Sequence, residues 1–133
     1  MRTALWSAGI LSAIVLFFSL WNMLRAGQAL SDWQILVEFG APATYILGSG
    51  LTWALTGLGL LAALFYGWLQ TRRAGIMISV LYWVWYWADR VFIQQSPTPN
   101  HVFSAIFSVL FLAAVILLWL PLDFKNLTTE EKE

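Results

Sequence analysis

An all-α integral membrane protein, a bundle of four transmembrane helices with both termini cytoplasmic, is the fold this sequence predicts, and three observations carry the prediction. Hydrophobic residues make up 60% of the chain and charged residues 11%, against roughly 45–50% and about 25% in soluble domains. Four apolar runs stand out: Ala4 to Leu24, Tyr45 to Leu69, Ile76 to Ile93 and Val102 to Leu120. Each is long enough to cross a hydrocarbon core of about 30 Å at about 1.5 Å per residue. The third observation is where the cations fall. Arg2, Arg72, Arg73, Lys125 and Lys132 lie on one side of the resulting zigzag, and Arg25 and Arg90 on the other. With loops this short the excess marks the cytoplasmic side. Helices are therefore expected near 4–24, 44–69, 75–94 and 99–120, making residues 1–121 a single membrane domain and 122–133 a short polar cytoplasmic tail. A multi-pass position in a bacterial-type plasma (inner) membrane follows as the expected location.

The first run begins after Arg2, as a secretory signal would. A signal's apolar region is about 7–15 residues long and ends at a small-x-small cleavage site. This run is longer and leads into Trp21, Asn22 and Leu24, so an uncleaved first helix is expected, with Asn22 near its outer end. In the connection that follows, Ser31 and Gln34 have the spacing of a capping box. Residues 32–39 then read in two ways. One is a short interfacial helix with Trp33, Ile35, Leu36 and Phe39 turned toward lipid; the other is an irregular loop.

Pro42 lies where a second helix would start, a position at which its missing N–H costs nothing. That helix is rich in small residues, which matters because membrane helices gain little by burying apolar surface on one another and associate where backbones approach closely. Gly59, Ala63 and Gly67 form one small-xxx-small row, and Gly50 and Ala54 another. Thr52 and Thr56 can bond back to their own helix or across to a neighbour. This helix is the expected packing centre, facing either its own bundle or a further subunit.

The third helix starts after the Arg72-Arg73 turn and carries the densest feature, Tyr82-Trp83-Val84-Trp85-Tyr86-Trp87-Ala88-Asp89-Arg90. At about 100° per residue, Tyr82, Tyr86 and Asp89 share one side, with Trp85 and Arg90 flanking it. A charge one turn inside a span costs roughly 1–3 kcal/mol unless it pairs, snorkels or meets water. The plain interpretation is an aromatic belt with interfacial charges that fix helix depth. The sharper one is a face formed by Tyr82, Trp85, Tyr86, Asp89 and Arg90 that holds a lipid headgroup, a lipid-soluble ring or a partner helix. A short pattern, Ala8-Gly9-Ile10 with Trp21 and Ala74-Gly75-Ile76 with Trp87, repeats at equal spacing between the first and third spans. Four apolar identities are too few to establish a duplication.

Thr98 as N-cap and Pro99 just inside would begin the fourth helix, and Pro121 would end it. Near its start lie His101 and Ser104, which with Asp89 supply the residue types of a hydrolytic triad. No Gly-x-Ser-x-Gly elbow accompanies them, and Ser7, Ser12, Ser104 and Ser108 read more simply as packing or back-bonded hydroxyls.

Exclusions narrow the function. The chain has no Cys and one His, so thiol–disulfide chemistry, thiolate zinc sites and iron–sulfur clusters are ruled out. Haem held by two histidines is impossible within one chain, and a His–Met pair fails because Met77 and His101 lie at opposite ends of their helices. No cofactor is expected. A net charge of zero gives no reason to expect a nucleic-acid partner. Ion-coupled transport normally needs an ionisable group near the bilayer midplane, and the middle of every run lacks Asp, Glu, Lys, Arg and His. The expectation is a non-catalytic subunit or scaffold whose partners are the lipid bilayer and other membrane subunits or copies of itself. A small oligomeric transporter or channel is the alternative.

Overall fold

Residues 2–67, 70–93 and 100–122 are described by the computed structural model, with side chains from residue 4 onward. All regular structure among them is helical: α1 Arg2–Ser31, α2 Trp33–Glu38, α3 Ala43–Phe65, α4 Thr71–Ala88, which continues as a π-helical turn over Asp89–Ile93, and α5 His101–Trp119. Four segments, Ala4–Ser31, Ala43–Phe65, Thr71–Ile93 and His101–Trp119, are long and apolar enough to cross a membrane. The chain is therefore a multi-pass helical membrane protein. It packs as two units, Ser12–Tyr66 and Met1–Leu11 with Gly67–Glu133.

α1 continues to Ser31, about two turns beyond the first apolar run. Ala26, Gln28, Ala29 and Leu30 are good helix formers with no proline among them, so the helix outlasts its greasy stretch. Asp32 N–H donates to Gln28 O at 2.8 Å and Asp32 O accepts from Leu36 N–H at 2.9 Å. A one-residue break thus joins α1 to α2, and Asp32, rather than Ser31, is the N-cap of α2, without a side-chain cap bond. The Ser31–Gln34 capping box does not form because Ser31 is the last residue of α1. The 32–39 segment takes its helical reading, over Trp33–Glu38.

α2 ends in a Schellman motif: Gly40, at φ 71°, donates to Val37 O at 3.1 Å and Ala41 to Leu36 O at 2.7 Å, and the positive φ is one that glycine adopts without strain. Pro42 follows and caps α3 from outside rather than lying within it. α3 ends at Phe65, and Gly67 turns the chain at φ 63°. Gly67 is thus a helix terminator and not the third member of a helical row.

Within the Ser12–Tyr66 unit, α1 and α3 meet along small residues. On α3 these are Gly50, Ala54 and Gly57, at helical spacing on one face. A Cβ at Gly50 would lie 3.0 Å from Asn22 O and 3.1 Å from Ala26 Cβ, and one at Gly57 would run into Ser19 Oγ and the Phe18 ring. Phe18 also packs edge-on against Trp53, with centroids 6.3 Å apart. The hydroxyls nearby bond back into their own helices, Ser19 to Val15 O at 2.9 Å, Thr52 to Gly48 O and Thr56 to Thr52 O, both at 2.8 Å. Gly59 has nothing within 4 Å of a Cβ built on it, whereas Ala63 is buried. The packed row of α3 therefore includes Gly57 and leaves Gly59 outside.

In the other unit α4 packs against α5, with Ser108, Val115 and Trp119 of α5 at the spacing of one face. Trp119 is fully buried, and its ring occupies the space a Cβ on Gly75 would need. The two short patterns of the first and third spans differ here: Gly9 faces open space, while Gly75 is a close-contact position. α5 starts at His101 after Asn100 and ends before Pro121. Thr98, Pro99 and the tail from Asp123 lie outside the described residues.

Candidate functional site at the end of α4

The aromatic segment of α4 is organised by one hydroxyl. Trp83 Nε1 and Trp87 Nε1, one helical turn apart, both donate to Ser108 Oγ, at 3.2 and 3.1 Å, and Ser108 Oγ donates in turn to Ala105 O at 2.9 Å. A hydroxyl has one proton and two lone pairs, so Ser108 is fully used. This clamp fixes the rotation of α4 against α5 and thereby the direction of every neighbouring ring. Ser108 was read from the sequence only as a packing hydroxyl. The i, i+4 spacing of the two tryptophans was visible; their shared acceptor on another helix was not.

Tyr82 and Trp85 lie together, with centroids 5.4 Å apart, and Tyr86 meets Trp87 edge-on at 5.8 Å. All four rings are half-buried. The helix then widens into the π turn, and Asp89 N–H is shared between Trp85 O and Tyr86 O. Such turns insert a residue into the helical repeat and are frequent at functional sites. Nothing in the local sequence announces it.

Arg90, four residues after Tyr86, lies along the same face of the helix. Its Nη1 donates to Tyr86 Oη at 2.7 Å, and its guanidinium carbon lies 6.0 Å from the Tyr86 ring centre and 5.9 Å from that of Trp87. Arg90 is half-buried, whereas Asp89 is only 3% exposed. Of the five expected face residues, the structure brings Tyr86 and Arg90 together and pairs Tyr82 with Trp85, while Asp89 is taken into the interior. His101 is exposed and Ser104 half-buried.

A second polar feature lies in the α1–α3 seam. Asn22 is 1% exposed, its Nδ2 donates to Phe18 O at 2.9 Å, and its Oδ1 accepts no hydrogen bond among the described residues. The bond to Phe18 points the amide toward the N-terminus of α1, the direction of Ser19. With Asn22 O against Gly50 and Ser19 against Gly57, that amide lies level with the middle of α3. The sequence placed Asn22 near the end of its span; the register of the two helices places it deep within one.

Among the described residues no group of three or more His, Asp or Glu side chains is arranged to hold a metal ion. No protein-family model, no curated protein and no solved structure matches this chain.

Proposed function

We propose that this protein is a non-catalytic subunit or scaffold of a larger membrane assembly, docking through the aromatic side of α4 formed by Tyr82, Trp85 and Tyr86. One observation carries this reading: α4 is held rigidly by the Trp83–Ser108–Trp87 clamp, yet only 6% of its most apolar stretch is buried within the chain. Tyr, Trp and Arg dominate the energetics of protein interfaces because large, preset side chains lose little freedom on binding. Gly59, exposed on α3, offers a second place for a close helix approach.

The cation balance supports an orientation with both termini cytoplasmic; a bacterial-type plasma membrane is the location we propose with it. A small oligomeric transporter or channel remains the second reading, favoured by the buried polar Asn22 at mid-span. Gentle extraction into lipid nanoparticles, followed by identification of co-purifying proteins, separates the two. The subunit reading expects another membrane protein in fixed ratio. A lone homo-oligomer that moves a solute across liposomes overturns it.

A further inference from the structure

We infer that α2 lies flat in the membrane interface with lipid along both of its flanks, and anchors the α1–α3 pair at that level. The inference rests on the membrane-spanning reading of α1 and α3 and not on the subunit reading, so the two can fail separately.

The first support is the arrangement of side chains around α2. At about 100° per residue, Gln34 and Glu38 lie side by side and Leu36 lies opposite them. Between these poles Trp33 and Val37 fall on one flank, and Ile35 and the C-cap Phe39 on the other. Leu36 is half-buried, and α2 is in contact with α3. All four flanking side chains are exposed, Ile35 by 55%, Val37 by 58% and Phe39 by 83%. A polar ridge, a packed leucine opposite it and two apolar flanks suit a helix that lies in the plane of an interface. One partner helix would cover one flank, whereas the bilayer covers both at once.

Register supplies the depth. Gly50 of α3 is level with Asn22 and Ala26 of α1, and Gly57 with Phe18 and Ser19, so the two helices run antiparallel. Ala43, seven residues before Gly50, is then level with the end of α1 at Ser31. α2 and its Schellman turn join the helices at this common end. The span Ala43–Phe65 has 23 residues, about 34 Å at about 1.5 Å each, against a hydrocarbon core of about 30 Å. Its ends therefore reach the edges of the core, and tilt would bring them closer still. Arg25, six residues before the end of α1 and about 9 Å below it, is within snorkelling reach of the same level. No Lys or Arg occurs between Arg25 and Arg72, and Asp32 and Glu38 are both exposed. The contact is thus made by apolar surface and not by attraction to anionic headgroups.

The chain has no Cys, so the test places a nitroxide on one introduced cysteine at a time in the purified full chain, reconstituted in phosphatidylcholine vesicles. Power-saturation electron paramagnetic resonance compares collisions with oxygen, which partitions into the bilayer, and with an uncharged water-soluble nickel chelate. Leu55→Cys, exposed on α3, supplies the value for the lipid core, and near-ultraviolet circular dichroism shows that each variant is folded. Labels at Ile35→Cys and Val37→Cys are expected to favour oxygen over nickel several-fold more than labels at Gln34→Cys and Glu38→Cys. Replacing part of the phosphatidylcholine by phosphatidylglycerol should leave that pattern unchanged. Nickel-dominated relaxation at Ile35→Cys or Val37→Cys would place α2 in water and overturn the proposal. So would shielding of either label from both agents, which would mean that protein covers the flank, or lipid contact that appears only with phosphatidylglycerol.

Discussion

Replacing Gly57 by alanine puts a methyl group where Ser19 and Phe18 already stand. The added Cβ would fall 2.9 Å from Phe18 Cδ1 and 3.1 Å from Cε1, and closer still to Ser19 Oγ. To make room the Ser19 hydroxyl must leave Val15 O, which it holds at 2.9 Å, or α1 and α3 must separate. Overpacking of this kind costs about 1–3 kcal/mol, and a lost hydrogen bond within a membrane adds about 0.6 kcal/mol. Alanine's better helix propensity offsets up to about 1 kcal/mol. Gly59→Ala is the matched control, because nothing lies within 4 Å of its Cβ. The propensity gain cancels between the two variants, so their difference, about 1.5–3.5 kcal/mol, belongs to the seam. Equilibrium unfolding in mixed micelles by dodecyl sulfate titration, followed by circular dichroism, measures it. Equal stabilities for Gly57→Ala and Gly59→Ala would refute the packing of α1 on α3 through Gly57.

Three further outcomes follow from the same geometry. Ser108→Ala removes the shared acceptor of Trp83 and Trp87 and should destabilise α4 against α5 by about 1–2 kcal/mol, at roughly 0.6 kcal/mol or more per bond, with a change in tryptophan near-ultraviolet dichroism; Ser108→Thr should retain the signal. Gly75→Ala drives a methyl into the Trp119 ring and should cost about 1–3 kcal/mol, read as increased quenching of tryptophan fluorescence by a lipid-soluble quencher. Gly67→Ala forces a positive φ on a residue with a Cβ and should cost roughly 1–2 kcal/mol, whereas Gly9→Ala, in open space on α1, should cost nothing in the same unfolding assay.

Hydropathy made the four spans legible because the bilayer demands a minimum apolar length, and that demand leaves a mark residue by residue. It did not show where helices end. α1 runs on to Ser31 since lipid contact and helix propensity are separate properties, and α3 stops at Phe65 because Gly67 takes a left-handed turn. Small residues announced close packing on α3, but which row is used depends on the direction from which α1 approaches. Gly50 and Ala54 lie in the seam, and Gly57, seven residues beyond Gly50 on the same face, was the readable signal that Gly59 obscured.

The site shows the same division. The aromatic run, its charges and the four-residue spacing of Tyr86 and Arg90 were visible, whereas the π turn over Asp89–Ile93 has no local sequence signature. Asn22 became a mid-span polar group only through the register of α1 on α3. Contacts between helices distant in sequence set the Ser108 clamp and the place of Asn22, and a single sequence does not encode those legibly.

Docking through α4 is tested most directly by a photo-crosslinking amino acid, p-benzoylphenylalanine, in place of Trp85, irradiated in intact membranes. The expected result is one discrete heavier species that contains a different membrane protein, absent when the crosslinker replaces the exposed Phe17 of α1. Adducts with lipid alone, or only with a second copy of the chain, would contradict a docking role for this helix in a larger assembly.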